Sequence, residues 1–419
     1  MDKRNFLKTI GALSFSPLLS ANELSKTFSI KNKLPKIEKD EELWKEVRSH
    51  YTLKDDYINL ESGYYNIIPN PILENFIKHV KHVNVEGSYY MRYDLKKNKD
   101  RITSELAKLV GSSNDQLAIT RNATESLDLV ISGFPWKERD EAIYAKQDYG
   151  TMKEMFEQIS SRYGVINKVI SIPNHPKNDE EIVSLYESQI TEKTKLIMVC
   201  HMINITGQIL PIKKICEMAH KYGVEVMVDG AHCVGHFDFS IDDFNCDYYG
   251  SSLHKWLATP LGVGLLYVNK KNTEKLWPLL ANGIQNKSDI KRLNHIGTHP
   301  VHTDLAISNS IDYINWIGIK KKEERMRFLQ RYWSDKLRNI NNIIINTPED
   351  INRSCGIANV GLKNITPSEM SKILMDKYKI FTVAIDYANV KGCRISPNVF
   401  TTTQELDILV EAIIEMSLI

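Results

Sequence analysis

The chain has 419 residues, more than one small core can use, so a large domain and a smaller one are expected. With 42% hydrophobic residues, 25% charged residues and a net charge of +2, it has ordinary globular composition and no sign of a nucleic-acid partner. The six cysteines (Cys200, Cys216, Cys233, Cys246, Cys355 and Cys393) form no CxxC pair and no Cys/His cluster with zinc spacing, so no metal is expected, and most read as small buried hydrophobes.

Residues 1–28 open with Lys3 and Arg4, continue with Phe6, Leu7 and Lys8, and end in a short, weakly apolar stretch with small residues. This resembles a twin-arginine export signal with lysine in place of the first arginine, and implies a periplasmic or exported protein. A leader or an amphipathic first helix on a cytoplasmic protein would fit the same residues. The apolar stretch is short for a membrane span and no later segment reaches the length needed to cross a bilayer, so no stable membrane anchor is expected. Residues 29–56 are a polar linker and a helix in EELWKEVRSHY.

From residue 57 the pattern gives a short strand, a turn and a Pro-started helix in YINLESGYYNIIPNPILENFIKHV, and then alternates. DQLAIT, EAIYAK, INKVISIP, KLIMVCHMI and VEVMVDG are strand-like; ATESLDLVISGF, TMKEMFEQISSRYG, NDEEIVSLYESQI and PIKKICEMAHKYG are helical. Apolar strands between amphipathic helices predict an α/β domain over 57–310, with a mostly parallel sheet and helices on both faces. FNCDYYGSS and GVGLLYV follow with no helix between them, which predicts an antiparallel neighbour strand. Residues 311–419 begin with the charged helix KKKEERMRFLQRYWSDKLRNI, whose mixed-sign start (Lys320 to Arg325) reads as a solvated face, and lead into a smaller α+β domain.

The chemistry concentrates in two turns. Asp229 ends the apolar run of VEVMVDGAHCVGH, where an α/β strand delivers a carboxylate to its C-terminal edge. Lys255 in SSLHKWLATPLGVGLLYV is flanked by Leu253, Trp256 and Leu257, a desolvating setting that suits a reactive amine able to form a Schiff base. Each residue alone would also suit an ordinary turn or surface; together, a lysine amine and a strand-end carboxylate are the two groups pyridoxal phosphate most needs from a protein.

VDGAHCVGH and SSLHKW, in that order and spacing, resemble the class V aminotransferase family of fold-type I pyridoxal-phosphate enzymes, in the branch of isopenicillin N epimerase and the cysteine desulfurases. The resemblance implies that Ala123 and Thr124, opening a helix in TRNATESLDLV, bind the cofactor phosphate with Ser252 and His254. It implies that Tyr149 covers the ring, where desulfurases carry a histidine that moves protons more readily than a phenol. Asn204 in HMINITG would hydrogen-bond the phenolic oxygen or the substrate and His232 would approach the same oxygen, although a satisfied core histidine is a serious alternative for His232. Gly297 and Thr298 in NHIGTHP would reach the phosphate of a neighbouring subunit, in a homodimer with shared active sites. Arg394 in GCRISPNVF would hold the α-carboxylate of an amino acid substrate, with Tyr64, Tyr65, Tyr90 and Arg92 as guesses for the pocket wall. The activity expected is transamination or epimerisation at the α-carbon. The stretch FTVAIDYANVKG lacks the cysteine nucleophile of a desulfurase, while an elimination without one stays open, as does a non-catalytic binding protein.

Overall fold

The computed structural model describes residues 40–418; the expected export signal at 1–28 and the linker up to residue 39 lie outside the described residues. After a helix at Asp40–Ser49 and the two-residue strand β1 (Ile58–Asn59) come the strands of the main sheet. These are β2 (Leu117–Thr120), β3 (Glu141–Ala145), β4 (Ile166–Ile170), β5 (Thr194–Cys200), β6 (Glu225–Asp229), β7 (Tyr248–Ser252) and β8 (Gly264–Val268), in the order β2-β8-β7-β6-β5-β3-β4. Pairing is parallel from β7 through β6, β5 and β3 to β4, while β8 lies antiparallel between β2 and β7. The antiparallel neighbour expected from the helix-free stretch is this β7–β8 pair.

Successive residues of each strand feed different cores. Ile143, Ile197, Val199, Val226 and Val228 enter one cluster, and Ala142, Tyr144, Leu196, Met198 and Met227 enter another. A period of two with both faces apolar is what helices on both sides of a sheet require. It also explains why the strands read as continuous hydrophobic runs rather than alternating ones.

The C-terminal part forms a third core around an antiparallel sheet of order β12-β13-β10-β9, from β9 (Ile343–Ile345), β10 (Ala358–Leu362), β12 (Val383–Tyr387) and β13 (Val390–Ile395), with the short β11 (Ile380–Phe381) outside it. Helices Ile319–Leu337, Pro367–Tyr378 and Thr403–Ser417 cover it. Capping boxes Thr366/Glu369 and Thr402/Glu405 fix where the last two begin. The N-terminal segment is strapped to this region: β1 pairs in parallel with β11, and Glu61 bridges to Ser396. Residues 335 apart in sequence thus become neighbours.

Two features depart from the expected pattern. Helix Val301–Ile317 carries buried residues on most of its circumference, so it lacks the one-sided apolar stripe that marks a surface helix in sequence. It ends at Gly318, whose φ of 87° suits glycine, and the charged helix starts directly after it. Within that helix the KKKEER run is not wholly solvated. Lys322 is 5% exposed, on the same face as Met326, Leu329 and Trp333, because four- and seven-residue steps bring it round to the core side. Among the described residues no helix is long and apolar enough to cross a membrane.

Candidate active site

The C-terminal ends of the parallel strands open into a cavity of about 310 Å³. The loop after β2 gives it Arg121 to Thr124, that after β3 Tyr149, that after β5 Met202 and Asn204, that after β6 Ala231 and His232, and that after β7 His254 and Lys255. Gly63 and Tyr64 from the N-terminal segment and Arg394 from β13 close the far side. This is where open α/β sheets bind ligands, since the strand ends and helix starts there leave polar groups unpaired.

Register puts Cys200 beside Asp229 on β5 and β6, and Asp229 beside Gly250 on β7. Asp229 is 5% exposed, and its Oδ1 accepts the Ala231 amide at 2.9 Å. Burial holds its carboxyl above the usual range, so a cationic partner inside the cavity would restore the charge. Lys255 shares that cavity. Burial lowers its amine to about 8, against the upward pull of Asp229. Its Nζ lies 3.0 Å from Nε2 of His232, whose Nδ1 accepts the indole N–H of Trp256 at 3.3 Å. The satisfied-histidine alternative and the cofactor role meet here: His232 is buried and bonded, yet it also lines the cavity.

Helix Ala123–Gly133 points its N-terminus into the same space. Asn122 caps it by accepting from the Glu125 amide, and the Ala123 amide donates to Ser252 Oγ at 2.9 Å. The Thr124 amide and the Ser252 hydroxyl proton are thereby left for an anion at the positive helix end. Gly264 permits this closeness, since a Cβ there would lie 2.7 Å from Asn122 Cα. Among the described residues, His254 Nδ1 and Asn204 Oδ1 are buried without a hydrogen-bond partner, and both side chains belong to the cavity lining, as expected of groups that await a polar ligand.

Arg394 is 6% exposed and already paired. Its Nε donates to Glu61 Oε2 at 3.1 Å, its Nη2 to Glu61 Oε1, and its Nη1 to the Asn204 carbonyl at 3.2 Å. Glu61 is fixed in turn by the Tyr64 amide at 2.9 Å. Three of the five guanidinium N–H groups are engaged, which leaves one on each terminal nitrogen. Sequence reasoning missed Glu61, as well as Arg121, Leu261 and Gly262 in the cavity lining. A carboxylate three residues before Tyr64 in ESGYYN was the available signal for Glu61.

Tyr64 and Tyr149 line the cavity, the first 78% and the second 43% exposed. Tyr65 is not in the lining but places its ring near His254. Tyr90 is a correction: it is 1% exposed in the main core, because SYYMRYD winds into a helical turn that directs it inward. Arg92 is exposed and away from the cavity. Gly297 and Thr298 are exposed and form no part of the cavity of their own chain.

The family model "Aminotransferase class-V" matches residues 67–409. Isopenicillin N epimerase of Streptomyces clavuligerus is 26% identical over 387 residues, which cover 88% of this chain and 97% of that protein. Among solved structures, the apo cysteine desulfurase from Thermococcus onnurineus NA1 superposes with a TM-score of 0.79 at 18% identity, covering 89% of this chain and 98% of that one. A C-DES mutant with glycine covalently linked to its pyridoxal phosphate cofactor superposes with a TM-score of 0.78 at 17% identity, covering 87% and 98%. The structural likenesses establish the fold, that of the fold-type I enzymes. The cofactor is pyridoxal phosphate, and the residues present fit it: a desolvated amine, a buried carboxylate, an anion-ready helix start and two orphaned polar atoms share one cavity.

Proposed function

This chain belongs to the aminotransferase class-V family, and from that membership we propose that it acts on the α-carbon of an amino acid, as a transaminase or an epimerase. The convergence of Lys255, Asp229 and Arg394 on one cavity carries the reading. Bound there, pyridoxal phosphate supplies an aldehyde for a lysine amine and a cationic ring that draws electrons from the α-carbon. Thr124, Ser252 and His254 would hold its phosphate end, Asp229 its ring nitrogen, Asn204 and His232 its phenolic oxygen, and Tyr149 one ring face.

The chain's own residues do the rest. Arg394 orients the substrate by its α-carboxylate through the two N–H groups Glu61 leaves over. The Lys255 amine, lowered to about 8, is poised to take the α-proton near neutral pH. Return of a proton to the opposite face of the carbon, from a donor other than Lys255, would invert the amino acid, whereas leaving the amino nitrogen on the cofactor while water supplies the carbonyl oxygen would give a keto acid. Persulfide chemistry finds no support among the described residues. Cys200, the cysteine in the cavity lining, has its thiol held well above the ordinary range by burial and by Asp148 and Asp229, and Cys393 faces the third core.

Shared active sites in a homodimer are part of the proposal. The exposed Leu73, Ile77 and Val80 form one stripe along helix Asn70–Glu86, and Gly297 and Thr298 are exposed outside their own cavity. Export directed by residues 1–28 is proposed from the Lys3-Arg4 pattern alone. The reaction is tested by screening the visible spectrum of the loaded protein against L- and D-amino acids, with mass analysis of each responder. A keto acid or an inverted amino acid is the expected product. A response to keto-sugars alone would overturn the reading, and a cleaved product would replace it with elimination.

A further inference from the structure

Behind Lys255 lies a buried polar cluster to which the proposed reaction assigns nothing: Trp256, His236, Lys322 and the Gly356 amide. Trp256 is fully buried, and its Nε1–H meets His232 Nδ1 at 3.3 Å. An indole nitrogen can only donate, so Nδ1 must be unprotonated. A neutral imidazole then carries its proton on Nε2, the atom 3.0 Å from Lys255 Nζ. An N–H facing Nζ requires a lone pair there, and an ammonium has none. The opposite arrangement, with the ammonium donating to Nε2, would set the indole N–H against an Nδ1–H.

The indole cannot turn away to relieve such a conflict. His236 stacks on it with ring centroids 3.8 Å apart, and Lys322 Nζ donates to the Trp256 carbonyl at 2.6 Å. His236 is itself fixed: Nε2 accepts the Gly356 amide at 2.9 Å, so Nδ1 carries the proton and donates to the His232 carbonyl at 2.8 Å. Donors that cannot reverse thus set both histidine tautomers. Charging His232 is opposed by its burial and by Lys255, Arg394, His236 and His254. Around Lys255 itself stand Asp229, Arg394, Glu61, Cys200 and His254, which act in both directions on its amine.

We propose that Trp256 is a positioning residue that fixes His232 as its Nε2–H tautomer, and that this tautomer keeps Lys255 an unprotonated amine ready to capture the cofactor. The inference rests on the assignment of Lys255 as the attachment site. Its test uses cofactor-free full-length protein, following the pH dependence of the rate at which added pyridoxal phosphate is captured, and long-range proton–nitrogen correlation on ¹⁵N-histidine-labelled protein to assign the His232 tautomer.

Trp256→Phe keeps the aromatic stack and removes the donor. The His232 signal should lose its fixed Nε2–H form, and the pH midpoint of capture should rise by about one unit, close to tenfold slower capture below the midpoint. His232→Leu, which does not depend on how the phenylalanine packs, should raise the midpoint by a similar amount. The double variant should add nothing further, since both changes abolish the same fixed Nε2–H facing Lys255. An unchanged midpoint in either single variant, or shifts that add in the double, would overturn the proposal. Borohydride reduction followed by peptide mapping separates the two layers: label on another lysine defeats the assignment of Lys255, whereas label on Lys255 with unchanged midpoints defeats only the role of Trp256.

Discussion

The two ends of the cavity are built on different principles. At the sheet edge, Asp229, Ser252 and Lys255 each sit on or just after a strand, and the strands set their spacing. At the far end, Arg394 and Glu61 come from segments 333 residues apart and meet only because β1 and Ser396 strap the N-terminal segment to the C-terminal sheet. The sheet edge keeps its charges separate and available. The far end arrives with its charge matched by a buried partner, so in the proposed reaction it would offer a substrate carboxylate directed hydrogen bonds more than a net field. Under the proposed function, chemistry would therefore depend on the sheet edge, and discrimination among substrates on the strapped corner.

The harshest test of that division is Lys255→Ala. It should abolish covalent attachment of the cofactor and lower kcat by about 10³-fold or more, with Arg394 and Glu61 undisturbed. Reduction with borohydride and mass measurement read the first effect, and steady-state kinetics the second. Attachment and turnover at wild-type level would end the assignment. Arg394→Lys should act at the other end alone. A lysine keeps the charge beside Glu61 but loses the planar fork, so KM should rise about 10- to 100-fold while kcat stays within a few-fold. A loss confined to kcat would show that the corner takes part in the chemistry after all.

Glu61→Gln sharpens the contrast with a smaller effect. Removing a buried carboxylate that competes for the same guanidinium should lower the amino acid KM about 3- to 10-fold, because a weakened like-charge repulsion is worth about 1 kcal/mol here. A raised KM would mean instead that Glu61 serves chiefly to orient Arg394. The variant keeps one acceptor oxygen in place of two for the Arg394 and Tyr64 donors and leaves a buried guanidinium unmatched, so its melting temperature should fall even as KM improves.

The same division explains how much could be read from the chain beforehand. The strand–helix alternation, Asp229, Lys255 and the Thr124 helix start are local: each shows in a window of a dozen residues, because strand period, cap and turn chemistry act over that range. Arg394 stands out only through its motif, and Glu61 not at all, since no local rule links positions 333 residues apart. Tyr90 and Lys322 failed for a related reason. Their residue types suggest a pocket wall and a solvated face, and only the helical phase, known once the neighbouring helices are packed, turns both inward.

Lys322 offers the mildest and most specific test, because it supports the sheet-edge end from behind without touching the cavity lining. Burial lowers its amine to about 7. Between about 7 and the ordinary lysine range the unfolded chain binds a proton that the folded chain does not, so stability rises with pH, with a slope of up to about 1.4 kcal/mol per unit. Below about 7 both states are protonated and that contribution is flat. Lys322→Met should remove this slope, while the lost hydrogen bond to the Trp256 carbonyl lowers the curve by a constant amount. Urea midpoints of parent and variant, taken from about pH 7 to pH 10, should therefore diverge as pH rises, with the parent gaining stability that the variant does not. Parallel curves would mean that Lys322 titrates normally in the fold. The hydrogen bond to the Trp256 carbonyl would then come from a charged ammonium throughout this range.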